Sequence, residues 1–445
     1  MDSVASKIGA LEADDPAELW SGELPRVPHT EEPPALNLTY WGLLLFALVY
    51  FLRPSDWLPL GTFPIAKAVG FVPMILLAGA VLAGYKIRMN RELWLLIALF
   101  AQLLLCIPFS IWKGGSFDTV VFVFSKAVVL TLIAIQVLDT TSRIRRMIFV
   151  QTAAVTLVAA FSIFEGVRVG GRTSGALNGI FGNPNDLAGC ITVVLPFALL
   201  FMLLARNVIK RLFWLGMIIL LAWAVVSTYS RSGFISMVAA ILAVAWFFGY
   251  KGGYKKLFAA IVLVICFLPV TFFAGGDYST RLQSIFDFSL DQTHSADARR
   301  ELFTTSLELT LKHPLFGIGP GQFAVASGNW HAAHNTFTEM GAEAGLPGFV
   351  LFLWLLVRTF NQLRKSQPPA SRSSRELHLF RMAALSSMVA FAVSACFASY
   401  EYEFYPYILI ACCSGISSLA MKAQRAEEKP PSTKARFEEV TLCAE

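Results

Sequence analysis

Apolar residues run along this chain in blocks too long for the core of a water-soluble domain, and polar residues are confined to short links between the blocks. The blocks fall at 36–52, 63–84, 93–112, 118–138, 147–167, 186–205, 211–228, 233–250, 256–274, 336–357, 380–399 and 403–421. A helix needs roughly 17–25 apolar residues to cross a ~30 Å hydrocarbon core, and the blocks meet that length. The short alternating segments of a strand barrel are missing. The predicted fold class is therefore all-α: a polytopic integral membrane protein of about 12 transmembrane helices. It divides into a polar tail (1–35), helices one to nine (36–274), one large loop (275–335), helices ten to twelve (336–421) and a second tail (422–445). No internal repeat is visible.

Composition agrees with the pattern and removes other classes. Of the 445 residues 56% are hydrophobic and 15% charged, where a soluble domain has roughly 25% charged. Mean hydropathy is +0.60. Disorder, collagen and a soluble multidomain enzyme are excluded. The net charge of +6 does not lie in a stripe on a soluble domain, so no nucleic acid partner is expected. Instead Lys and Arg alternate between links, 23 on one set and 10 on the other. By the positive-inside bias the richer set is cytoplasmic, which puts both termini in the cytoplasm and the 275–335 loop outside. The 1–35 tail is acidic and reads as disordered. It lacks the pattern of a cleaved signal peptide, so the first span is expected to stay as an anchor. The seven cysteines show neither disulfide nor zinc spacing.

The outer loop holds four of the six histidines, His294, His313, His331 and His334. Ser295 or Asp297 can cap an amphipathic helix running to Lys312, with Leu302, Ser306 and Leu309 on one face. His313-Pro314 stops it, and Gly317-Ile-Gly-Pro-Gly321 forms a tight non-helical turn. Six acidic residues face four basic ones across the loop, so any anion site there must be made locally.

Three constellations can carry chemistry. Arg231, in Ser-Thr-Tyr-Ser-Arg-Ser-Gly (227–233), sits at the outer mouth of two long apolar helices. Its planar fork suits a phosphate clamp; the alternative is an interfacial anchor paired with a loop carboxylate. Gly170-Gly-Arg-Thr-Ser-Gly175, followed by Phe181-Gly-Asn-Pro-Asn-Asp186, offers turns with exposed backbone amides that can cradle an anion, or an ordinary loop whose Pro-Asn turn caps the next helix. His331-Ala-Ala-His334-Asn335 opens the tenth span. A neutral imidazole there can accept a proton from a sugar hydroxyl near pH 7; the alternative is a structural hydrogen bond. Two histidines three apart, without His-Glu-x-x-His or cysteine partners, do not suggest a metal, and no nucleotide-binding loop is present.

In order along the chain, Gly171-Arg172, Gly182-Asn-Pro-Asn185, Tyr229-Ser-Arg231-Ser-Gly233, Arg299, Pro314-Leu-Phe-Gly-Ile-Gly-Pro-Gly321, His334-Asn335 and Glu343-Ala-Gly-Leu-Pro-Gly348 resemble the O-antigen ligase and O-antigen polymerase superfamily. The resemblance spans about 165–350, and the polar tail before the first span departs from what the family requires. It implies a glycosyltransferase of the bacterial inner membrane with its site facing the periplasm. The implied donor is a glycan on undecaprenyl diphosphate, and the ligase acceptor is the lipid A core of lipopolysaccharide. It implies diphosphate binding by Arg172 and Arg231, activation of the acceptor by His334, and less defined substrate contacts for Arg299, Asn183, Asn185 and Asn335. No cofactor is implied. Preorganised arginines can stabilise a diphosphate leaving group without a metal, and one direct displacement inverts the anomeric centre.

A polymerase shares this donor and differs in acceptor. A protein O-oligosaccharyltransferase usually carries an extra C-terminal domain, against which the short 422–445 tail argues. A transporter or flippase expects repeats and ionisable residues deep in its spans, where Lys126 is the clear mid-span base.

Overall fold

The computed structural model describes residues 34–56, 65–165, 168–169, 172–173, 181–255, 295–328, 331–371 and 374–428. Apart from one small ribbon, the described elements are helical. They are α1 (Pro34–Leu52), α2 (Ile65–Leu82), α3 (Arg91–Cys106), α4 (Lys113–Phe117) continuing through a π turn into α5 (Ser125–Val137), and α6 (Thr141–Phe164). After the ribbon β1 (Arg168–Val169) and β2 (Arg172–Thr173) come α7 (Pro184–Leu204), α8 (Val208–Ser227) and α9 (Arg231–Val244), which a π turn extends to Lys251. The remainder are α10 (Ser295–Lys312), α11 (Phe323–Ala326), α12 (Thr336–Lys365), α13 (Arg375–Ala395) and α14 (Phe404–Glu428).

Among the described residues ten helical segments are long and apolar enough to cross a membrane, and Leu36–Leu52 is a shorter apolar one. They fall on the predicted blocks. The ninth block, 256–274, the 275–294 part of the loop, nearly all of the first tail and residues 429–445 of the second lie outside the described residues.

Polar link residues begin these helices by satisfying backbone donors that a bilayer cannot. Asn90 accepts from the Leu93 N–H at 2.8 Å, Thr140 from Arg143 at 3.3 Å and Asn207 from Lys210 at 2.9 Å. The bundle is sorted by burial. The apolar window of α7 is 83% buried against α6, α8, α9 and α13, whereas α2 and α8 bury only 22% and 17% of theirs. Apolar residues exposed on that scale belong against lipid.

Side-chain contacts separate the links into two ends. At one end Arg143, fully buried, pairs with Asp139 at 3.0 Å and lies over the Tyr40 ring, while Arg145 pairs with Glu376 and Arg381 donates to the Leu363 carbonyl. At the other the Ile111 N–H donates to Ile318, Ser230 donates to Asn185, and the Thr336 N–H donates to Ala398. The second end carries the candidate chemistry.

There α12 is not a continuous helix. Gly345 has φ 70°, and around this break the turn after α10 docks by backbone bonds: Ile318 N–H to Ala342, Gly319 N–H to Glu343, and Leu346 N–H to Pro314. Glycine is required on both sides, because a Cβ on Gly345 would sit 2.6 Å from the Leu315 carbonyl carbon and one on Gly319 would collide with Ser110. The amphipathic helix forms as predicted: Leu302, Ser306 and Thr310 are buried, with Leu309 packed beside them.

Candidate functional site

The His334 turn is built by its neighbours. Asn335 caps α12, its side-chain oxygen accepting from the N–H groups of Phe337 at 3.1 Å and Thr338 at 3.2 Å. The Thr336 hydroxyl donates to Ala398 at 2.6 Å, tying this corner to the link before α14. Buried Glu339, one turn into α12, accepts from the Ala333 N–H at 3.0 Å and from the Ser399 hydroxyl. Between these fixed points His334 takes a left-handed backbone, φ 52°, which costs a non-glycine residue about 1–3 kcal/mol and is held by the surrounding bonds.

The sequence led us to expect a base titrating near neutrality, and here the structure corrects the expectation. Burial first, then the charge of Arg299, then that of His331, push the His334 imidazole down to about 4. The ring is neutral at pH 7, as an acceptor must be, but it is a weak base.

Arg299 reaches this place because Leu302, one turn on, is buried with Ile318, Phe323, Ala333 and Ala342, which docks α10 onto α12. Its charge is felt at His334 and also at Asp186 in the first turn of α7. The residue before Asp186 completes the link to the next motif. Asn185 accepts from the Ser230 hydroxyl at 2.7 Å, with Ser232 at 3.5 Å, so the two serines flanking Arg231 are fastened to the Asn-Pro-Asn turn. Asn183 caps α7 through the Asn185 N–H at 2.9 Å. Close approach is permitted by Gly233, where a Cβ would meet Ala188 at 2.5 Å.

Asn185 is thus bonded to the Arg231 turn, and the charge of Arg299 reaches both Asp186 beside it and His334. Arg172 is described only by its backbone, which pairs with Val169 in the ribbon, and β2 lies against α8. His331 is exposed and near His334, and among the described residues no three His, Cys, Asp or Glu gather to hold a metal ion.

The sequence reading left several groups without a role. Glu343, fully buried, accepts from Gly321 N–H at 2.6 Å, Phe323 N–H at 2.7 Å and the Tyr402 hydroxyl at 2.6 Å, so one carboxylate holds the glycine turn and the link before α14. Glu401 in that link is buried, and desolvation together with the carboxylates of Glu339 and Glu343 holds it well above the usual carboxylate range. The signal was present as the acidic and aromatic run Tyr400-Glu-Tyr-Glu-Phe-Tyr405 at the mouth of the last span.

These features define a polytopic helical membrane protein with the Arg231 turn, Arg299 and His334 at one end of its bundle. The O-antigen ligase family model matches residues 215–353, a stretch that includes Arg231, Arg299, His334 and Glu343. That match supports the O-antigen ligase superfamily, whose members are glycosyltransferase-like ligases and polymerases. No curated protein matches the chain.

Proposed function

We propose that this protein is an O-antigen ligase-like glycosyltransferase that moves a glycan from undecaprenyl diphosphate to the lipid A core of lipopolysaccharide on the periplasmic face of the bacterial inner membrane. The observation that carries the reading is that the Arg231 turn is bonded to Asn185, next to Asp186, at the end of the bundle where the charge of Arg299 acts on both Asp186 and His334. The N-termini of α7, α9 and α12 open at this same end, and their dipoles favour an anion beside the arginines.

In this reading Arg231 and Arg299, with Arg172 from the ribbon, bind the donor diphosphate and stabilise the charge that grows as the C–O bond breaks. His334 accepts the proton of the attacking hydroxyl. Its depressed basicity is an advantage only in company: the bound diphosphate brings negative charge next to the ring and strengthens the base when the donor is in place. The hydroxyl oxygen bonds to the anomeric carbon, the diphosphate leaves with the bonding pair, and the centre inverts.

The test is transfer by purified protein from a lipid-linked donor to either purified lipid A core or a second lipid-linked repeat. Transfer to the core supports ligation. Elongation of the lipid-linked repeat with no transfer to the core makes the protein a polymerase instead.

A further inference from the structure

The turn after α10 lies deeper in the bundle than a surface loop has reason to. The Leu315 carbonyl accepts from the Gln102 side chain at 2.9 Å, and Gln102 sits inside a span that runs on to Phe109. Seven residues at 1.5 Å each put Leu315 about 10 Å below that end of the span. The α12 helix gives the same answer. Leu346, whose N–H donates to the Pro314 carbonyl at 2.8 Å, is ten residues past Thr336, about 15 Å into the helix.

Irregular backbone at membrane depth is tolerated only where the protein itself satisfies it. The turn meets that demand group by group. Gly317 N–H donates to His313 at 2.9 Å, Ile318 N–H to Ala342 at 2.9 Å, Gly319 N–H to the Glu343 carbonyl at 3.0 Å and Gly321 N–H to the Glu343 carboxylate at 2.6 Å. The Ile318 carbonyl accepts from the Ile111 N–H at 3.0 Å, and that of Pro320 from the Ser116 hydroxyl at 2.9 Å. A turn standing in water would need few of these bonds.

Helix α10 approaches this turn with three faces. Leu302, Ser306 and Thr310 are buried, and Glu301, Glu308 and Lys312 form a polar face. The third, Phe303, Leu307 and Leu311, repeats every four residues and is apolar and exposed. Exposure grows toward the turn, from 42% at Phe303 and 43% at Leu307 to 76% at Leu311, and Leu315 continues it at 61%. The stripe also meets the outward face of α3. Phe316 stacks on Phe109 with ring centroids 4.1 Å apart, and Phe109, Leu105 and Leu104 are exposed in their turn. That face of α3 belongs against lipid, and the end of the stripe shares its depth. Lys312 and His313, exposed at the same end, have the reach to hold their polar tips at the headgroups.

We propose that α10 and its turn are re-entrant: the C-terminal half of the helix dips into the leaflet at the His334 end, with Leu307, Leu311 and Leu315 against acyl chains, and the glycine turn brings the chain back out. The partner of this surface is the bilayer itself, not a bound lipid of particular headgroup. The inference rests on the fold and is independent of the proposed transfer. Arg299 stands at the other end of the same helix, so the bilayer seats the element that carries its charge to His334.

The experiment places nitroxide side chains on the full chain in nanodiscs of phosphatidylethanolamine and phosphatidylglycerol. Serine replaces Cys266, Cys396 and Cys443, and the other four cysteines are buried. Labels at Leu311→Cys and Leu315→Cys are compared with Leu105→Cys on α3 and Glu301→Cys on the polar face. Oxygen, which concentrates in hydrocarbon, should relax the labels at 311 and 315 as strongly as at 105. A water-soluble nickel chelate should reach them several times less than it reaches 301. Ready access by nickel puts the stripe in water, and poor access by both reagents shows that protein covers it; either result overturns the proposal. A second measurement keeps every native cysteine. Benzoylphenylalanine in place of Leu311 should gain the mass of a phospholipid on irradiation, and crosslinks confined to the chain itself or to a second copy overturn the proposal as well.

Discussion

Replacing Gly345 by alanine tests whether the break in α12 is what seats the turn after α10 at the His334 end of the molecule. Gly345 has φ 70° and ψ −178°, a region that only glycine occupies at ease, and forcing a side chain there costs about 1–3 kcal/mol. The added Cβ would also stand 2.6 Å from the Leu315 carbonyl carbon and 2.7 Å from its oxygen. Both are backbone atoms, so the turn after α10 has to move as a unit. Movement endangers the Leu346 N–H bond to Pro314 at 2.8 Å and the Gln102 side-chain bond to Leu315 at 2.9 Å, each contributing about 0.5–1.5 kcal/mol. The expected destabilisation is on the order of 2–6 kcal/mol. Thermal unfolding of the detergent-solubilised protein, followed by the loss of its monodisperse elution peak, reads this directly. Gly79→Ala is the matched control, because a Cβ there meets nothing within 4 Å inside α2 and the change should be neutral or stabilising by up to about 1 kcal/mol. If Gly345→Ala unfolds at the wild-type temperature, the docking of the turn does not depend on this glycine and the argument for a built loop fails.

Arg231→Lys should restore little of the transfer lost in Arg231→Ala, since a point ammonium cannot make two parallel bonds to phosphate; the loss is roughly 10²–10³ in rate, and a fully active lysine variant at normal membrane abundance would make Arg231 an anchor. The His334 ring is held neutral to about pH 4, so in kcat/KM, which reports the free protein, its titration should fall near 4 rather than near 6.5. The same shift works on stability: the unfolded chain binds a proton at His334 from about pH 6.5 downward while the folded protein resists until about 4, so this contribution is complete above 6.5 and is lost across that window as pH falls. Unfolding curves for His334→Ala should be flatter than wild type between those values, and parallel curves would refute the shift. Glu308 is exposed on α10, so a cysteine placed there should be labelled by an impermeant reagent from the periplasmic side; labelling from the cytoplasm alone would reverse the orientation.

Much of this was legible because membrane spans are written in the sequence as apolar blocks bounded by capping residues. Leu302 and Ser306 gave the buried face of α10 in advance, through helical spacing alone. The break at Gly345 was hidden, since Glu-Ala-Gly-Leu-Pro-Gly reads as the body of a span until the turn after α10 is seen against it. Asn183 and Asn335 were read as possible substrate contacts, and both place their side-chain oxygens on helix N-termini, a role that Asn before a helix fills equally well. The basicity of His334 was invisible for a different reason. It depends on the burial of the ring and on Arg299, which arrives from another helix, and no local motif records either. Glu343 stood inside a recognised motif, yet its three hydrogen-bond donors come from the glycine turn and from Tyr402, contacts made only by folding.

The most direct test of the central claim is turnover by His334→Ala and His331→Ala, measured with purified donor and acceptor beside donor binding for each. His334→Ala should lose on the order of 10²–10⁴ in turnover while still binding donor, because the arginines hold the diphosphate, and exposed His331 should tolerate alanine. Wild-type turnover in His334→Ala with a dead His331→Ala would contradict the account, and loss of donor binding in His334→Ala would move the imidazole from proton acceptor to diphosphate ligand.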